Sequence, residues 1–427
     1  MKLAIVDHAL VDLNGHHYEY DGALAAAAGA RGLAVTVLAN RAYAGPTDEF
    51  EILPWFGQGY YDLTSGGAAR RLAYRALSTL PPALARRLQD GVRLVWNQRH
   101  RRRGPAQGSF GRDFFAACER LALGPGDHAL IHTIGVDELD ALAETLNAGG
   151  RAWPMIHLQL VRRIEEFGAG RPRERRPAAV LARLLGGPAS ARIRLYSDTA
   201  ELAAAYGALT GRPVAVLPIA FRHDLILAAV AAAPARPPGA PLTIGYLGNA
   251  RLEKGFQHLP DLVEDLTGRL GWAGRVRFHF QSPFNIPDGE PGIGIARSRL
   301  AAFPPGLVAL EDRVLTTEQY YAMLAGIDVL VLPYDGARYD IRSSGILVQA
   351  RVAGTPIVAP AGSWIARQAP APAGEAFGAP GDLADALDRL LRRYDQAKAA
   401  AAADALAWRA EQSPADYLRR LLETETA

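Results

Sequence analysis

The sequence predicts an α/β chain built as two doubly wound parallel sheets. Three observations carry this reading. The chain has 427 residues, too many for one ordinary hydrophobic core and suited to two. Short apolar runs alternate with helical stretches from the first residues onward, the pattern of parallel strands covered by helices. The alternation breaks once, at 234–241, where PARPPGAP holds four prolines and one glycine and cannot keep regular structure. The expected division is therefore a first domain over 1–233, a linker over 234–241 and a second domain over 242–412. A terminal helix in 413–427 is expected to pack back on the first domain.

Each element has its own justification. KLAIV (2–6) is a short apolar run and reads as a buried strand. A Gly/His loop at 14–17 and an Ala-rich helix from Tyr18 to Ala30 follow, then the strand LAVTVLA (33–39). Beyond an irregular stretch come HALIH (128–132), a helix near 136–148, AWPMIH (152–157) and IRLYS (193–197). Asp198 and Glu201 read as a capping-box pair opening the next helix, and VAVLP (214–218) closes this half. After the linker, LTIGYL (242–247) is a strand, 255–268 a helix and RVRFHFQ (275–281) an alternating strand. A helix over 317–325 precedes the apolar strand IDVLVLP (327–333). A helix near 344–353 runs into PIVAP (356–360), and 382–427 is helical. Ligands of such sheets sit outside the carboxyl ends of the strands, so both halves are expected to present those ends to a central cleft.

Composition narrows the class. Hydrophobic residues make up 49% and charged residues 21%, which excludes a disordered chain. Cys118 is the only cysteine, which excludes a disulfide framework and any zinc site of several thiolates, and fits a reducing compartment. MKLAIVDH reaches Asp7 too early for a signal peptide. The longest apolar stretch, near Leu225–Ala235, falls short of the roughly 20 residues that span a bilayer. The expectation is a soluble or peripheral protein of the cytoplasm. Net charge is only +3, but lysine is confined to Lys2, Lys254 and Lys398.

The strongest local signal is GYLGNARLEKGF (245–256). A strand ends there, Gly248 permits a tight turn and close backbone approach, and Arg251 and Lys254 precede a helix opened by Gly255. Two cations beside free helix N–H groups suit a diphosphate. Gly-Lys-Ser/Thr is absent, so this is not a Walker loop. The second signal is VLVLPYDGARYDIRSSGILVQARVAGTPIVAP (329–360), where Ser343, Ser344 and Gly345 begin a helix after a polar loop. Small residues at a helix start admit a phosphate or sugar to the backbone; equally, a serine there is an ordinary N-cap.

Together the two segments resemble the nucleotide-binding half of retaining glycosyltransferases of family 4 and their relatives. ARLEKG resembles that family's Arg/Lys element at Arg251 and Lys254. ILVQARVAGTPIVAP resembles its later helix ending in Gly-x-Pro, at Gly354 and Pro356. The resemblance implies the GT-B architecture, two Rossmann-like domains, and transfer of a sugar from a nucleoside-diphosphate sugar to a hydroxyl of a carbohydrate or lipid-linked acceptor. It also implies retention and assembly of glycans or glycolipids. Donor contacts would fall on Gly15, His16, Gly248, Arg251, Lys254, Ser343, Ser344, Gly345 and Gln349. Of the family's two acids, the one expected on ribose falls on Gln349. The one expected on the sugar falls on Ile341, leaving Asp340 as the nearest carboxylate. His157, read as ending its strand, is the candidate catalytic histidine, with Asp340 as second catalytic candidate; His132 ends the neighbouring strand. No Asp-x-Asp triplet is present, Glu138 and Asp140 lying on a helix, so a metal-free mechanism without cofactor is expected.

Residues 70–103 carry about ten arginines against the single acid Asp90, and 162–176 adds a second Arg-rich stretch. Nucleic acid, an anionic membrane surface and plain solvated helix faces are the three readings. No nucleic-acid motif supports the first, and the inner membrane face is the partner expected. Rival functions are an epimerase of nucleotide sugars on the same architecture and a non-catalytic relative that only binds them.

Overall fold

The computed structural model describes residues 1–13, 17–57, 59, 109–149, 151–168, 176–284, 289–290 and 292–423. They form two compact units. One gathers the described residues up to Arg222 with those from Ser413 onward; the other is His223–Gln412.

The first unit is a seven-stranded sheet with every pair parallel. Its strands are β1 (Lys2–Asp7), β2 (Ala34–Asn40), β3 (Ile52–Phe56), β4 (His128–Ile131), β5 (Met155–Gln159), β6 (Ile193–Ser197) and β7 (Val214–Val216), in the order 3-2-1-4-5-6-7. The helices are α1 (His17–Gly29), α2 (Ser109–Arg120), α3 (Val136–Asn147), α4 (Ile164–Gly168), α5 (Pro177–Gly186) and α6 (Ala200–Thr210). The central strands β4 and β5 are buried along their whole length, as expected for strands covered on both faces. Leu3, Ile5 and Leu130 pack with Tyr20, Leu24 and Ala28 of α1.

Two local expectations are corrected here. β5 does not end at His157. It begins at Met155, directly after Pro154, which has no N–H to give a ladder, and it runs to Gln159. The cap of α6 is Thr199, whose side chain accepts the Leu202 N–H at 3.1 Å, rather than Asp198 paired with Glu201.

The second unit repeats the plan. Its strands are β8 (Leu242–Tyr246), β9 (Val276–Gln281), β10 (Val308–Glu311), β11 (Val329–Val331), β12 (Ile357–Pro360) and β13 (Gly374–Phe377), all parallel, in the order 10-9-8-11-12-13. The helices are α7 (His223–Ala232), α8 (Leu259–Thr267), α9 (Ile293–Ala301), α10 (Thr317–Ala325), α11 (Gly345–Val352), α12 (Trp364–Gln368), α13 (Leu383–Arg392) and α14 (Tyr394–Glu411). Helix α7 precedes the proline-rich 234–241 stretch in sequence but packs on α10 and α11 within this unit. Helix α13 shows how the core is built: Leu383, Leu387, Leu390 and Leu391 are buried while Arg389 faces solvent. Each buried leucine contributes about 1.5–3 kcal/mol.

The C-terminal helix α15 (Pro414–Glu423) returns to the first unit and packs on α1. Its Tyr417, Leu418 and Leu421 are fully buried there. In each sheet the strand order reverses once, between β1 and β4 and again between β8 and β11. Such reversals open the crevice where α/β sheets take ligands. No described helix is long and apolar enough to cross a membrane.

Candidate functional site

At the reversal of the second sheet, the segment after β8 folds back against the segment after β11. Gly248 has φ +95° and Gly255 φ +73°, conformations that favour glycine. A Cβ on Gly255 would lie 1.7 Å from the Pro333 carbonyl oxygen, so only glycine lets the loop close on the end of β11. A Cβ on Gly248 would come within 2.8 Å of both Lys254 Nζ and Ile346 Cδ1. The ammonium of Lys254 and the first turn of α11 therefore converge on one glycine.

The loop is pinned from outside. Gln281, at the end of β9, accepts the Gly248 N–H at 2.7 Å, and Glu290 accepts the Leu252 N–H at 2.7 Å. The Lys254, Gly255 and Phe256 amides bond within the loop, and the Ala250 amide bonds Pro283. The expected helix start at Gly255 is instead two 3-10 turns, Leu252–Lys254 and Phe256–His258, with α8 beginning at Leu259. The expected row of free amides is thus replaced by a scaffold that holds side chains, and an anion here would be met by cations.

Those cations are more numerous than Arg251 and Lys254. Glu253 pairs with Arg251 at 3.1 Å and Arg338 at 3.1 Å, and Arg342 lies at 3.9 Å. Burial works against its charged form, but the three guanidinium groups outweigh it and lower its pKa. Arg251 has its pKa raised despite burial, chiefly by Glu253, yet its Nε is buried without a hydrogen-bond partner. Lys254 is pushed down to about 7 by burial first and then by Arg251 and Arg342. Its ammonium lies 5.6 Å from the centroid of the Tyr334 ring. The other lysines are structural: Lys2 donates to the Leu121 carbonyl and Lys398 to that of Gly354. Four cations gathered near Glu253, with Asp335 3.9 Å from Arg338 and one cation reluctant to hold its proton, make a positive setting that suits a polyanion.

The reversal of the first sheet carries different chemistry. Asp7 closes β1, His17 begins α1 and Asp21 lies one turn further on. His132 follows β4. His17 Nδ1 sits 2.7 Å from Asp7 Oδ2, and His132 Nε2 sits 2.8 Å from Asp21 Oδ1. Burial opposes the charge on Asp7, but His17 and His132 hold its carboxyl well below the usual range. Asp21 goes the other way, up to about 7, through burial and the nearby Asp7 charge. Burial would lower the His132 pKa, but Asp21 and Asp7 raise it.

The sequence candidates separate accordingly. Gly248, Arg251, Lys254 and Gly345 meet at the second reversal, and Ser344 caps α11 by accepting the Leu347 N–H. Ser343 is half-buried just before that cap. Gln349 does not present a free amide to a ribose: it is buried against α10, where Tyr320 donates to its Oε1 at 2.8 Å and its Nε2 reaches Tyr321 Oη at 3.5 Å. Asp340 turns back on its own chain, its Oδ1 accepting the Ile341 N–H at 2.7 Å.

His157 is wholly buried in mid-strand, 3.0 Å from both His128 Nδ1 and Tyr196 Oη. Tyr196 donates onward to the Leu421 carbonyl at 3.5 Å. One assignment satisfies all these groups: His128 donates to His157, which donates to Tyr196. Burial first, then His128 and Arg194, lower the His157 pKa well below its usual value. Its position is that of a core histidine, and His132 is the histidine at the strand reversal. Gly15, His16 and the 70–103 segment lie outside the described residues, as do 169–175.

Sequence reasoning missed Gln281, Glu290, Arg338 and Arg342. Only the arginines left a signal, in the polar loop ARYDIR (337–342); Gln281 and Glu290 reach the loop from neighbouring segments that no local motif links to it.

No family model matches the chain, and no curated protein matches it. Solved structures do. The chain is similar to the UDP-forming α,α-trehalose-phosphate synthase from Burkholderia xenovorans, with 15% identity, TM-score 0.65, and 99% and 98% of the two chains covered. It is similar to sucrose-phosphate synthase from Thermosynechococcus elongatus, with 13% identity, TM-score 0.62 and 99% and 98% covered. HepE of Anabaena in complex with UDP gives 12% identity, TM-score 0.59 and 99% of both chains. At this identity the likeness establishes the fold alone: two parallel-sheet Rossmann-like domains in the GT-B architecture.

Proposed function

We propose that the chain is a glycosyltransferase that takes a sugar from a nucleoside-diphosphate sugar, UDP-linked in the first instance, and transfers it to a hydroxyl acceptor. The observation that carries the reading is the Lys254 ammonium held over Gly248 beside the incompletely partnered Arg251 guanidinium, at the strand reversal of the second sheet. The fold shared with a UDP-forming synthase and a UDP complex supports it. The diphosphate would sit against Arg251 and Lys254, with Arg338 and Arg342 adding positive potential. As the sugar bond breaks, charge gathers on the departing diphosphate. Cations already fixed in place stabilise that charge without reorganising. The proton that Lys254 holds weakly in the free protein would be held firmly against the diphosphate.

Retention, kinship with family 4, independence from metal at the diphosphate, a carbohydrate or lipid-linked acceptor and a station at an anionic membrane face belong to the same proposal. The test is a thermal-shift screen of nucleoside diphosphates and their sugars, because ligands of the native state raise its melting temperature. A rise with UDP or a UDP-sugar that disappears in Lys254→Ala is expected. No shift with any nucleoside diphosphate would overturn the reading. Hydrolysis or transfer products from the stabilising donor then identify the reaction.

A further inference from the structure

The reversal of the first sheet gathers Asp7, Asp21 and His132 from three separate elements, and their ligating atoms all lie within 4.8 Å of one another. His132 Nε2 is 2.8 Å from Asp21 Oδ1 and 3.6 Å from Asp7 Oδ2. Both aspartates are wholly buried and His132 nearly so. Asp21 Oδ2 is buried with no hydrogen-bond partner among the described residues. Two buried carboxylates, one with an oxygen unanswered, demand positive charge nearby.

We propose that Asp7, Asp21 and His132 form a binding site for one divalent transition-metal cation of the zinc type. The charges close: two carboxylates and one dication leave a neutral buried site with a neutral imidazole. The spacing suits it, since bonds of about 2.0–2.2 Å in a tetrahedral arrangement place ligand atoms roughly 3.4 Å apart, between the two distances observed. The donor set of one nitrogen and two carboxylates, with no thiolate, fits zinc, cobalt or manganese. Three protein ligands leave one position open.

Two of the three ligands, Asp7 and His132, are also held from behind, as bound metals favour. His17 Nδ1 lies 2.7 Å from Asp7 Oδ2, and the Ala9 N–H donates to Asp7 Oδ1 at 3.0 Å. Thr133 Oγ1 is 3.1 Å from His132 Nδ1 and can accept its proton when Nε2 carries a metal. The Tyr20 ring lies 4.6 Å from the imidazole, centroid to centroid, and fixes its plane. This cation is independent of the diphosphate chemistry proposed above, where Arg251 and Lys254 supply the charge.

The experiment strips the untagged full-length chain with a chelator, reloads it with zinc and counts bound metal by elemental analysis. Cobalt provides a visible absorption band as a second readout. One equivalent per chain, with a raised melting temperature, is expected. Asp21→Asn, which keeps the shape, should weaken binding by at least the roughly ten- to hundredfold that loss of an outer partner costs, as should His132→Ala, whereas Lys254→Ala should bind zinc like the parent. Circular dichroism checks each variant, and if His132→Ala fails to fold then Asp21→Asn decides alone. Absence of stoichiometric metal, or affinity unchanged in Asp21→Asn, overturns the proposal; the cluster then balances its charge without a metal.

Discussion

The first six strands of the first sheet follow the order of the six in the second, and both reverse at the same place, yet the residues at the two reversals are opposite in charge. The first ends its opening strand in a carboxylate, Asp7, and answers it with Asp21, His17 and His132. The second ends its opening strand in a glycine turn and surrounds it with Arg251, Lys254, Arg338 and Arg342. Topology decides where a ligand can approach, because strand order alone sets the crevice. A few side chains within a turn of the strand ends decide the sign of charge that is welcome there. By charge, the second reversal therefore suits an anion and the first a cation.

The severest way to break this contrast is to force the basic loop open. Gly255→Ala should cost about 2–5 kcal/mol, adding the strain of a left-handed backbone to the overlap with the Pro333 carbonyl. Chemical denaturation should show the loss, and any folded fraction should bind UDP poorly. A stability unchanged within error would mean the loop does not close as described.

His157→Ala tests whether the first unit's histidines divide into core and reversal. Leaving His128 and Tyr196 without their partner should cost about 2–4 kcal/mol, seen as a melting temperature lower by several degrees. UDP affinity in the folded protein should not change. Full stability with lost turnover would return His157 to the reaction.

Lys254→Ala should weaken UDP binding by ten- to hundredfold, the worth of a charge-assisted bond of about 1.5–3 kcal/mol, by calorimetry. The free protein should not lose stability. The folded pKa of about 7 lies below the unfolded value of 10.5, so the unfolded chain holds this proton more tightly. The folded state is therefore progressively disfavoured as pH falls from about 10.5 to 7, and removing the amine relieves that. A drop in melting temperature in the variant would contradict the depressed pKa.

The same pKa predicts pH dependence in the parent. Above pH 7 the free lysine loses its proton, so UDP affinity should fall by up to about tenfold per pH unit between 7 and 9, with proton uptake on binding. Lys254→Arg should flatten the profile. A flat profile in the parent would place the ammonium outside the site. The smallest expected effect belongs to Gln281→Ala, which frees the Gly248 amide; a hydrogen bond of about 0.5–1.5 kcal/mol implies a two- to tenfold loss in UDP affinity. No change there would mean the glycine keeps its position unaided.

What could be read from the sequence, and what could not, follows burial. The central strands announced themselves as apolar runs because both of their faces are covered. The strands that went unread, β3, β10 and β13, are all at sheet edges. ILPWF carries a proline, VALE ends in an acid and GEAF mixes glycine with glutamate; one open side removes the need for a continuous apolar run. At the basic reversal Gly248, Arg251 and Lys254 were legible because they share one short loop. Gln349 and His157 have residue types that suit function, but their partners, Tyr320 and Tyr196, come from other elements. Only the folded packing shows that those side chains are engaged. The acidic reversal was hidden for the same reason: Asp7 and His132 are 125 positions apart and meet only when β1 pairs with β4.

Helix α15 gives the first unit an unusual order of assembly. Tyr417 donates to Gln159 across 258 residues, sharing that acceptor with Tyr20, and Leu418 and Leu421 complete the same apolar cluster as Leu3 and Ile5. A ribosome delivers the seven strands before His223–Gln412 and the helix that seals them after it. During synthesis the entire stretch His223–Gln412 can emerge while an apolar groove beside α1 still waits to be filled. Long-range closure of this kind is slow, and exposed apolar surface is the nascent chain's main hazard. The first unit is therefore most open to capture by chaperones, or by other copies of itself, in the interval before α15 is made.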